Sequence, residues 1–477
     1  MKNTISTICF CIISIIGYSQ VWTEPVNISS MEGLDKNPSI AIDNNGNIHC
    51  TWVHDYGTHY KKIYYSHSDD NGYLWTNPQD ISQNIDTWCD SPEIISDLNN
   101  TVYIFYNDNV SNPSESVVLM RYLENNIWSN VDTVTNEHPG SRNIVLIADN
   151  ENKIFCFWYT DYNNGSSYYK YYHNNTWSQV FQVHPGPHQF GVSDAVVDLN
   201  NDIHIISFYH EEYQTYNDDK YVYSKLNNEI WSPIDFISPH TIGGGAGIDV
   251  DEYCNPHIVF RQEVSNDTIN NDSTMYRYYD GICWSDSEVV VIDPMSQRIE
   301  IDELSHVHLF DVEKSDEGSY LVHHNKVFGE WNSQIICSSP WNIIHYDILM
   351  HENFLYAVFL AQNINNNDAD IFISKFDYVS SIEEKEVESF SCAFFPNPFS
   401  NNTTISVSSM TLQPLTVKIY NLNGQLVRKF NTTDVVGTKD IIWDGTDTNG
   451  NKVNNGTYLV RVLGKKKILS RLLYLIK

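Results

Sequence analysis

The chain has 477 residues, with 28 Lys+Arg against 60 Asp+Glu and a formal net charge of −32. The charge is divided unevenly: residues 389–477 hold 11 basic and 4 acidic side chains, and residues 1–388 hold 17 and 56. An acidic body of that size excludes a general binder of nucleic acid or of anionic membrane, since both are polyanions.

In chain order, Met1-Lys2-Asn3 gives a positive start, Ile5–Ile16 is apolar, and Gly17-Tyr18-Ser19 ends on small residues. Residues 1–19 are therefore expected to be a signal peptide cut before Gln20, and the lack of a Cys there argues against a lipoprotein. No other apolar run reaches about 18 residues, so no transmembrane segment is expected. Beyond the signal, Cys50, Cys89, Cys156, Cys254, Cys283, Cys337 and Cys392 are odd in number and widely spread. That is not a disulfide framework, no zinc spacing is present, and no metal or cofactor is expected.

Tryptophans recur at Trp22, Trp75, Trp128, Trp177, Trp231, Trp284 and Trp331, spaced by 47 to 54 residues. Between them lie short Val/Ile/Tyr/Phe-rich runs separated by Asn/Asp/Gly turns, as in Pro38–Asp43, Ile48–Val53 and Lys62–His67, with no helical period. Four strands per unit and seven units predict an all-β, seven-bladed β-propeller over residues 20–379. The unit at Tyr346–Phe376 lacks its tryptophan strand, and Val21–Ser29 is a tryptophan strand without a unit. The N-terminal strand is expected to complete the last blade.

The turn Ser68-Asp-Asp70-Asn-Gly72-Tyr-Leu-Trp75 fits Ser-x-Asp-x-Gly-x-x-Trp and resembles the Asp-box of sialidase-like, BNR-repeat propellers. The other units carry degenerate versions. In that family the box is a structural turn, which implies that Ser68, Asp70, Gly72 and Trp75 shape a hairpin and bind nothing.

Tight turns (Asn44–Asn47, Asn99–Thr101, Asn200–Asp202) alternate with long loops, so one face is plain and the other carries function. The long-loop side supplies candidate ligand contacts: Asp55, Tyr56, Trp88, Tyr159, Asp161, His210, Glu211 and Trp341, with Arg142, Arg261 and Arg298 as its positive charge. Aromatic rings, carboxylates and cations around an axial funnel suit a glycan, through ring stacking and charged hydrogen bonds. The alternative is a degenerate sialidase-like glycoside hydrolase, but Phe260-Arg261-Gln262 and Arg298-Ile299-Glu300 do not complete that family's Phe/Tyr-Arg-Ile-Pro motif, so no catalytic residue is assigned. Asp43–Gly46 and Asp447–Gly450 start like calcium loops yet lack the other ligands, and are expected to be hairpin turns. His49, His204, His257 and His308 repeat at one second-strand position, which points to packing. Gly243–Gly247 has no Lys-Ser/Thr after it and reads as a flexible crossing.

Residues 380–393 are polar and read as a linker. From Phe394 the chain runs Phe-Phe-Pro-Asn-Pro-Phe, then Leu415-Thr-Val-Lys-Ile-Tyr-Asn-Leu-Asn-Gly, Ile442-Trp-Asp-Gly-Thr-Asp-Thr-Asn-Gly-Asn and Asn455-Gly-Thr-Tyr-Leu-Val-Arg-Val. Residues 394–477 resemble the type A C-terminal sorting domain of the type IX secretion system of Bacteroidetes-like bacteria. The resemblance implies an immunoglobulin-like sandwich, the type IX machinery as partner, and a secreted or surface-attached protein. About seven short strands are expected there, among them Thr404–Ser408, Leu415–Asn421, Leu426–Asn431 and Lys439–Trp443.

Overall fold

The computed structural model describes residues 22–476 except 58–59, 83–87, 110–115, 136–139, 161–164, 186–188, 211–218, 240–244, 267–268, 293, 316–317, 328–329, 338–340, 364–367, 378–389, 422–424, 449 and 464–467. The signal segment, Asp161, Glu211 and most of the linker lie outside the described residues. The chain divides into two units, residues 1–380 and 381–477. Every regular element described is a β-strand.

In the first unit the strands form antiparallel runs in sequence order. Each run opens with an inner strand: Leu34–Ile42, Trp88–Ser96, Ser141–Ala148, Gln189–Val197, Ala246–Val250, Pro294–Ile301 and Trp341–His351. Each inner strand packs against the inner strand of the next run, and the last packs against the first. Single-residue parallel bridges, Lys61↔Trp88 and Leu34↔Ala369, join three runs into one 13-stranded sheet. The final run, Trp341–His351, Phe354–Asn363 and Ala369–Asp377, takes its outer strand from the other end of the chain: Val26 pairs with Ile373 and Asn27 with Phe372.

The recurring tryptophans explain the spacing of the runs. Each one packs into a different apolar cluster. Four meet a third-strand tyrosine of the preceding run edge-on, as in Tyr65–Trp128 at 5.0 Å and 87° and Tyr276–Trp331 at 5.5 Å and 84°. The edge-to-face geometry adds quadrupole attraction to burial. Arg121 and Arg277 do the same work with charge, each lying over the tryptophan of its own run and donating to a carbonyl of the run before, Ile81 O and Ile237 O.

The tight turns after the inner strands share one device. Asp43, Asp97, Asp149, Asp198, Asp251 and Asp302 each accept the N–H groups two and four residues on, at 2.7–2.9 Å. Such Asx turns tie the carboxylate to its own backbone. Neighbouring turns also grip one another: Asn44 N–H donates to Asn100 Oδ1, Leu98 N–H to Asn152 Oδ1 and Asn150 N–H to Asn201 Oδ1, at 2.7–2.8 Å. The four repeated histidines stand behind these aspartates, with His49, His204 and His257 each sharing its Nδ1 with a tyrosine hydroxyl at 2.7–2.9 Å and His308 with His323 at 2.9 Å.

The second unit is one five-stranded sheet. Strands expected as separate run on: Thr403–Asn421 spans two of them and Leu426–Trp443 two more, with register shifts at Ser409/Gln413 and Gln413/Leu415. The shifts bend the long strands, which is how two strand segments on different faces of a core stay on one backbone. Trp443, Ile405, Val417 and Val460 fill that core. Asp447 accepts Asn451 N–H and closes a hairpin turn.

Candidate functional site

The inner strands do not run straight from the long-loop side. Six of the seven carry a register shift near their start: Lys36/Ser39, Asp90/Glu93, Arg142/Val145, Val192/Asp194, Pro294/Gln297 and Ile343/Tyr346. Asn37, Ser91 and Asn143, inside three of these bulges, have φ of 49–52°. A bulge re-aims side chains that a regular strand would hold on one face. Here the bulge residues Asn37, Ser91, Asn143, Ser296, Ile344 and His345 line a cavity of about 420 Å³, together with Glu93, Arg298 and Tyr346.

Just inside the bulges five of the seven inner strands present a polar side chain at one level, the other two having Val145 and Gly247 there. Ser39, Glu93, Asp194, Arg298 and Asp347 pair with equivalent second-strand residues, Thr51, Phe105, Ile206, Phe310 and Val358. Asp249 and Glu300 follow two residues further along their strands. Arg298 Nε lies 4.0 Å from Asp347 Oδ1, with side-chain exposures of 41% and 23%. Both are set in among the inner strands yet keep some accessible surface, and Arg298 lines the cavity; the charges are enclosed without being dry.

Carboxylates outnumber the guanidinium, and their acidities shift accordingly. Burial, then repulsion from Asp347, holds the Glu93 carboxyl well above the usual range, and Arg298 offsets only part of it. Burial pushes Asp194 up to about 6 despite Arg298. Asp249, Glu300 and Asp347 are also raised, burial being the largest cause in each. Burial works against the Arg298 charge, but Asp347 and Asp194 outweigh it and raise its pKa. His345 is pushed down by burial and stays neutral at neutral pH.

Of the described residues expected to touch ligand, Arg298 lines this cavity. Asp55 pairs with Lys36 at 2.9 Å, and Asn37 Nδ2 donates to Asp90 at 2.9 Å. Asp90 also pairs with Lys61, whose ammonium lies 5.0 Å from the ring centroid of the half-exposed Trp88. Arg142 lies over the ring of Tyr159 at 5.7 Å. A Cβ at Gly165 would come within 2.2 Å of the Tyr159 hydroxyl, so glycine at φ 78° lets that ring seat. Tyr56 is exposed and shares its hydroxyl with Tyr64 at 2.8 Å. His210 pairs with Asp219 at 2.6 Å. Arg261 pairs with Asp272 across the second hairpin of its run. Trp341 opens the last inner strand. Among the described contacts the three arginines have three different partners. Glu93, Asp194 and Asp347 were not expected from sequence; their signal was a polar residue at the same inner-strand position in five of the seven repeats.

The Ser68–Trp75 turn closes on itself. Asp70 Oδ1 accepts Ser68 Oγ–H, Tyr73 N–H and Leu74 N–H at 2.8–3.0 Å, and Trp75 Nε1–H donates to Gly72 O at 3.1 Å.

Residues 400–467 match the FlgD Ig-like domain family, so the second unit is Ig-like. No curated protein matches the sequence. Among solved structures, a PL25 polysaccharide lyase, an ulvan lyase solved bound to -[GlcA(1-4)Rha3S]-, is 12% identical with a TM-score of 0.52, over 73% of this chain and 95% of that one. The polysaccharide lyase Uly1 is 8% identical with a TM-score of 0.50, over 76% and 93%. These likenesses show a common fold. PorZ, a surface component of the type-IX secretion system of Porphyromonas gingivalis, is 14% identical over 94% of this chain and 60% of that one, at a TM-score of 0.43 too loose to weigh. Among the described residues no helix is long and apolar enough to cross a membrane.

Proposed function

We propose that the protein is an exported carbohydrate-binding β-propeller of seven blades over residues 20–379, closed by its N-terminal strand. In this reading residues 1–19 are a signal peptide, 380–393 a linker, and 394–477 a sorting domain that engages the type IX secretion machinery. Its destination is the cell surface or the medium. The ligand is a glycan or related surface polymer, and it seats where the bulged inner strands open on the long-loop side.

The observation that carries the reading is the cavity of about 420 Å³ lined by amide, hydroxyl, carboxyl, imidazole, phenol and guanidinium groups. Its size falls in the range of small-ligand sites, and its lining is far more polar than most, as hydroxyl-rich ligands require. Trp88 and Tyr56 supply flat, partly exposed surfaces on which sugar rings stack. Binding is favoured over sialidase-type hydrolysis because neither Phe260-Arg261-Gln262 nor Arg298-Ile299-Glu300 completes the Phe/Tyr-Arg-Ile-Pro motif. The test is equilibrium binding of a panel of soluble polysaccharides to the full chain and to Ile344→Trp, which places an indole in the cavity. A ligand that binds the parent and the variant equally would move the site elsewhere; a fluorogenic glycoside turned over by the parent would restore the hydrolase.

A further inference from the structure

Ser39 sits on the first inner strand between two carboxyl groups. Its Oγ is 3.1 Å from Glu93 Oε2 and 3.2 Å from Asp347 Oδ2, and it accepts Ile94 N–H at 3.3 Å. A hydroxyl has one hydrogen to donate. Two ionised oxygens at one hydroxyl would leave one of them unsatisfied and both repelled. Asp347 has the stronger hold on negative charge: Oδ2 also accepts Ile40 N–H at 3.1 Å, Oδ1 accepts Ile348 N–H at 3.0 Å, and Arg298 stands beside it. Among the described hydrogen bonds, Glu93 has only the Ser39 contact. The consistent proton arrangement is Ser39 donating to Asp347, with Glu93 protonated on Oε1, the oxygen away from Ser39, so that its one O–H is left for a ligand.

We infer that Glu93 stands in the cavity as a neutral carboxylic acid and is the donor that receives an oxygen of an uncharged sugar. The second half rests on the carbohydrate reading; the protonation does not. The groups facing Glu93 agree. Asp347 on the seventh inner strand and Asp194 on the fourth oppose its ionisation, with Arg298 on the sixth as the single opposing cation. Asp249 and Glu300 lie one level deeper, and His345 and Tyr346 beside the cavity are uncharged at neutral pH. Burial and these carboxylates are the two standard causes of a carboxyl that keeps its proton at neutral pH. A uronate would bring another carboxylate against Asp347 and Asp194, whose compensating guanidinium is already engaged. A neutral hydroxyl or ring oxygen accepts from Glu93 at no such cost.

The experiment compares the full chain with Glu93→Gln. Infrared difference spectra at neutral pH should show a carboxylic-acid C=O band in the parent that the variant lacks, fading as the solution becomes alkaline. Absence of that band overturns the inference whatever binds. In parallel, affinity for a neutral oligosaccharide should fall about tenfold between mildly acidic and alkaline pH in the parent, the worth of one hydrogen bond to a charged-capable group. It should be pH-independent in Glu93→Gln, whose amide still donates, and an oligouronate should bind at least about tenfold more weakly. Affinity that rises with pH, or an oligouronate preferred over the neutral sugar, overturns the donor role. If the acid band is present and no carbohydrate binds, the protonation stands, while the donor role and the carbohydrate reading fail together.

Discussion

Trp22 offers the sharpest test of how the first unit is held together. The side chain is 8% exposed, stacked on Phe376 at 5.4 Å and edge-on to Phe310 at 6.1 Å and His323 at 5.7 Å. Its neighbours come from the sixth and seventh runs, so one indole from the N-terminus joins two sheets built from residues some 300 positions away. Truncation of a buried tryptophan to alanine costs about 3–5 kcal/mol, through lost transfer energy and the cavity left behind. A unit of this size has a large unfolding entropy, so each kcal/mol moves the melting temperature by only about 1–2 °C. Trp22→Ala is therefore expected to melt about 4–8 °C below the parent in calorimetry of the full chain, in the transition belonging to the first unit. Val26→Ala, at a side chain 37% exposed on the same segment, should shift it by less than about 1 °C. A Trp22→Ala protein that melts with the parent would refute the argument that the N-terminal segment is an integral outer strand, and a variant beginning at Met31 should then be equally stable.

Asp70→Ala removes an acceptor of three hydrogen bonds and should lower the midpoint of denaturant unfolding while leaving carbohydrate affinity unchanged; an affinity loss would mean that the ligand sits on the other face. Acid should destabilise the first unit. Burial lowers His49 and His324 from 6.5 to about 4, so the unfolded chain binds more protons between those values, and stability present above the unfolded pKa is lost as pH falls toward the folded one. Unfolding midpoints that rise on acidification through that window would contradict it. Glu93 has the opposite sign: its folded pKa is raised, so its contribution is complete below the unfolded carboxylate range and declines as pH rises toward neutrality and beyond. Glu93→Gln should match the parent near pH 4 to 5 and exceed it in mildly alkaline buffer, measured by chemical denaturation. A protein ending at Val379 should fold its first unit and remain in the periplasm; finding it in the medium would sink the sorting-domain assignment.

The repeat was legible because one aromatic residue per unit fills an equivalent place between neighbouring sheets, and a tryptophan at such a place is too large to be replaced quietly. The Asx turns were legible for a similar reason, since Asp-Asn-Asn-Gly can satisfy its own backbone. The C-terminal strands were located but wrongly divided: Thr404–Ser408 and Leu415–Asn421 look separate because the intervening residues lose the alternation, and a register shift produces the same pattern without breaking the strand. The cavity was the least legible. Arg298 stood out as a rare cation on the loop side, whereas Glu93, Asp194 and Asp347 sit in strands where an acidic residue ordinarily marks the solvent face. What turns them to a common interior is the bulge before each, and a bulge leaves no residue-level mark except the Asn and Ser residues at positive φ, which occur in turns all along this chain.

The pairing of Val26–Asn27 with Phe372–Ile373 also sets a clock. The bonds that seat the N-terminal segment span about 340–350 residues, as in Ser29 with Asp370 and Thr23 with Ser374. Closing so long a loop comes late, after the entropy of ordering nearly the whole unit has been met, and chains dominated by such distant contacts fold slowly. Until then Ala369–Asp377 presents a free edge, ready to accept any passing extended segment. A chain emerging N-terminus first would carry its first strand unpaired for most of its synthesis. Its vulnerable interval is therefore the approach to completion, and a chaperone that shields either the leading segment or that late edge would govern how much of the protein reaches its native state.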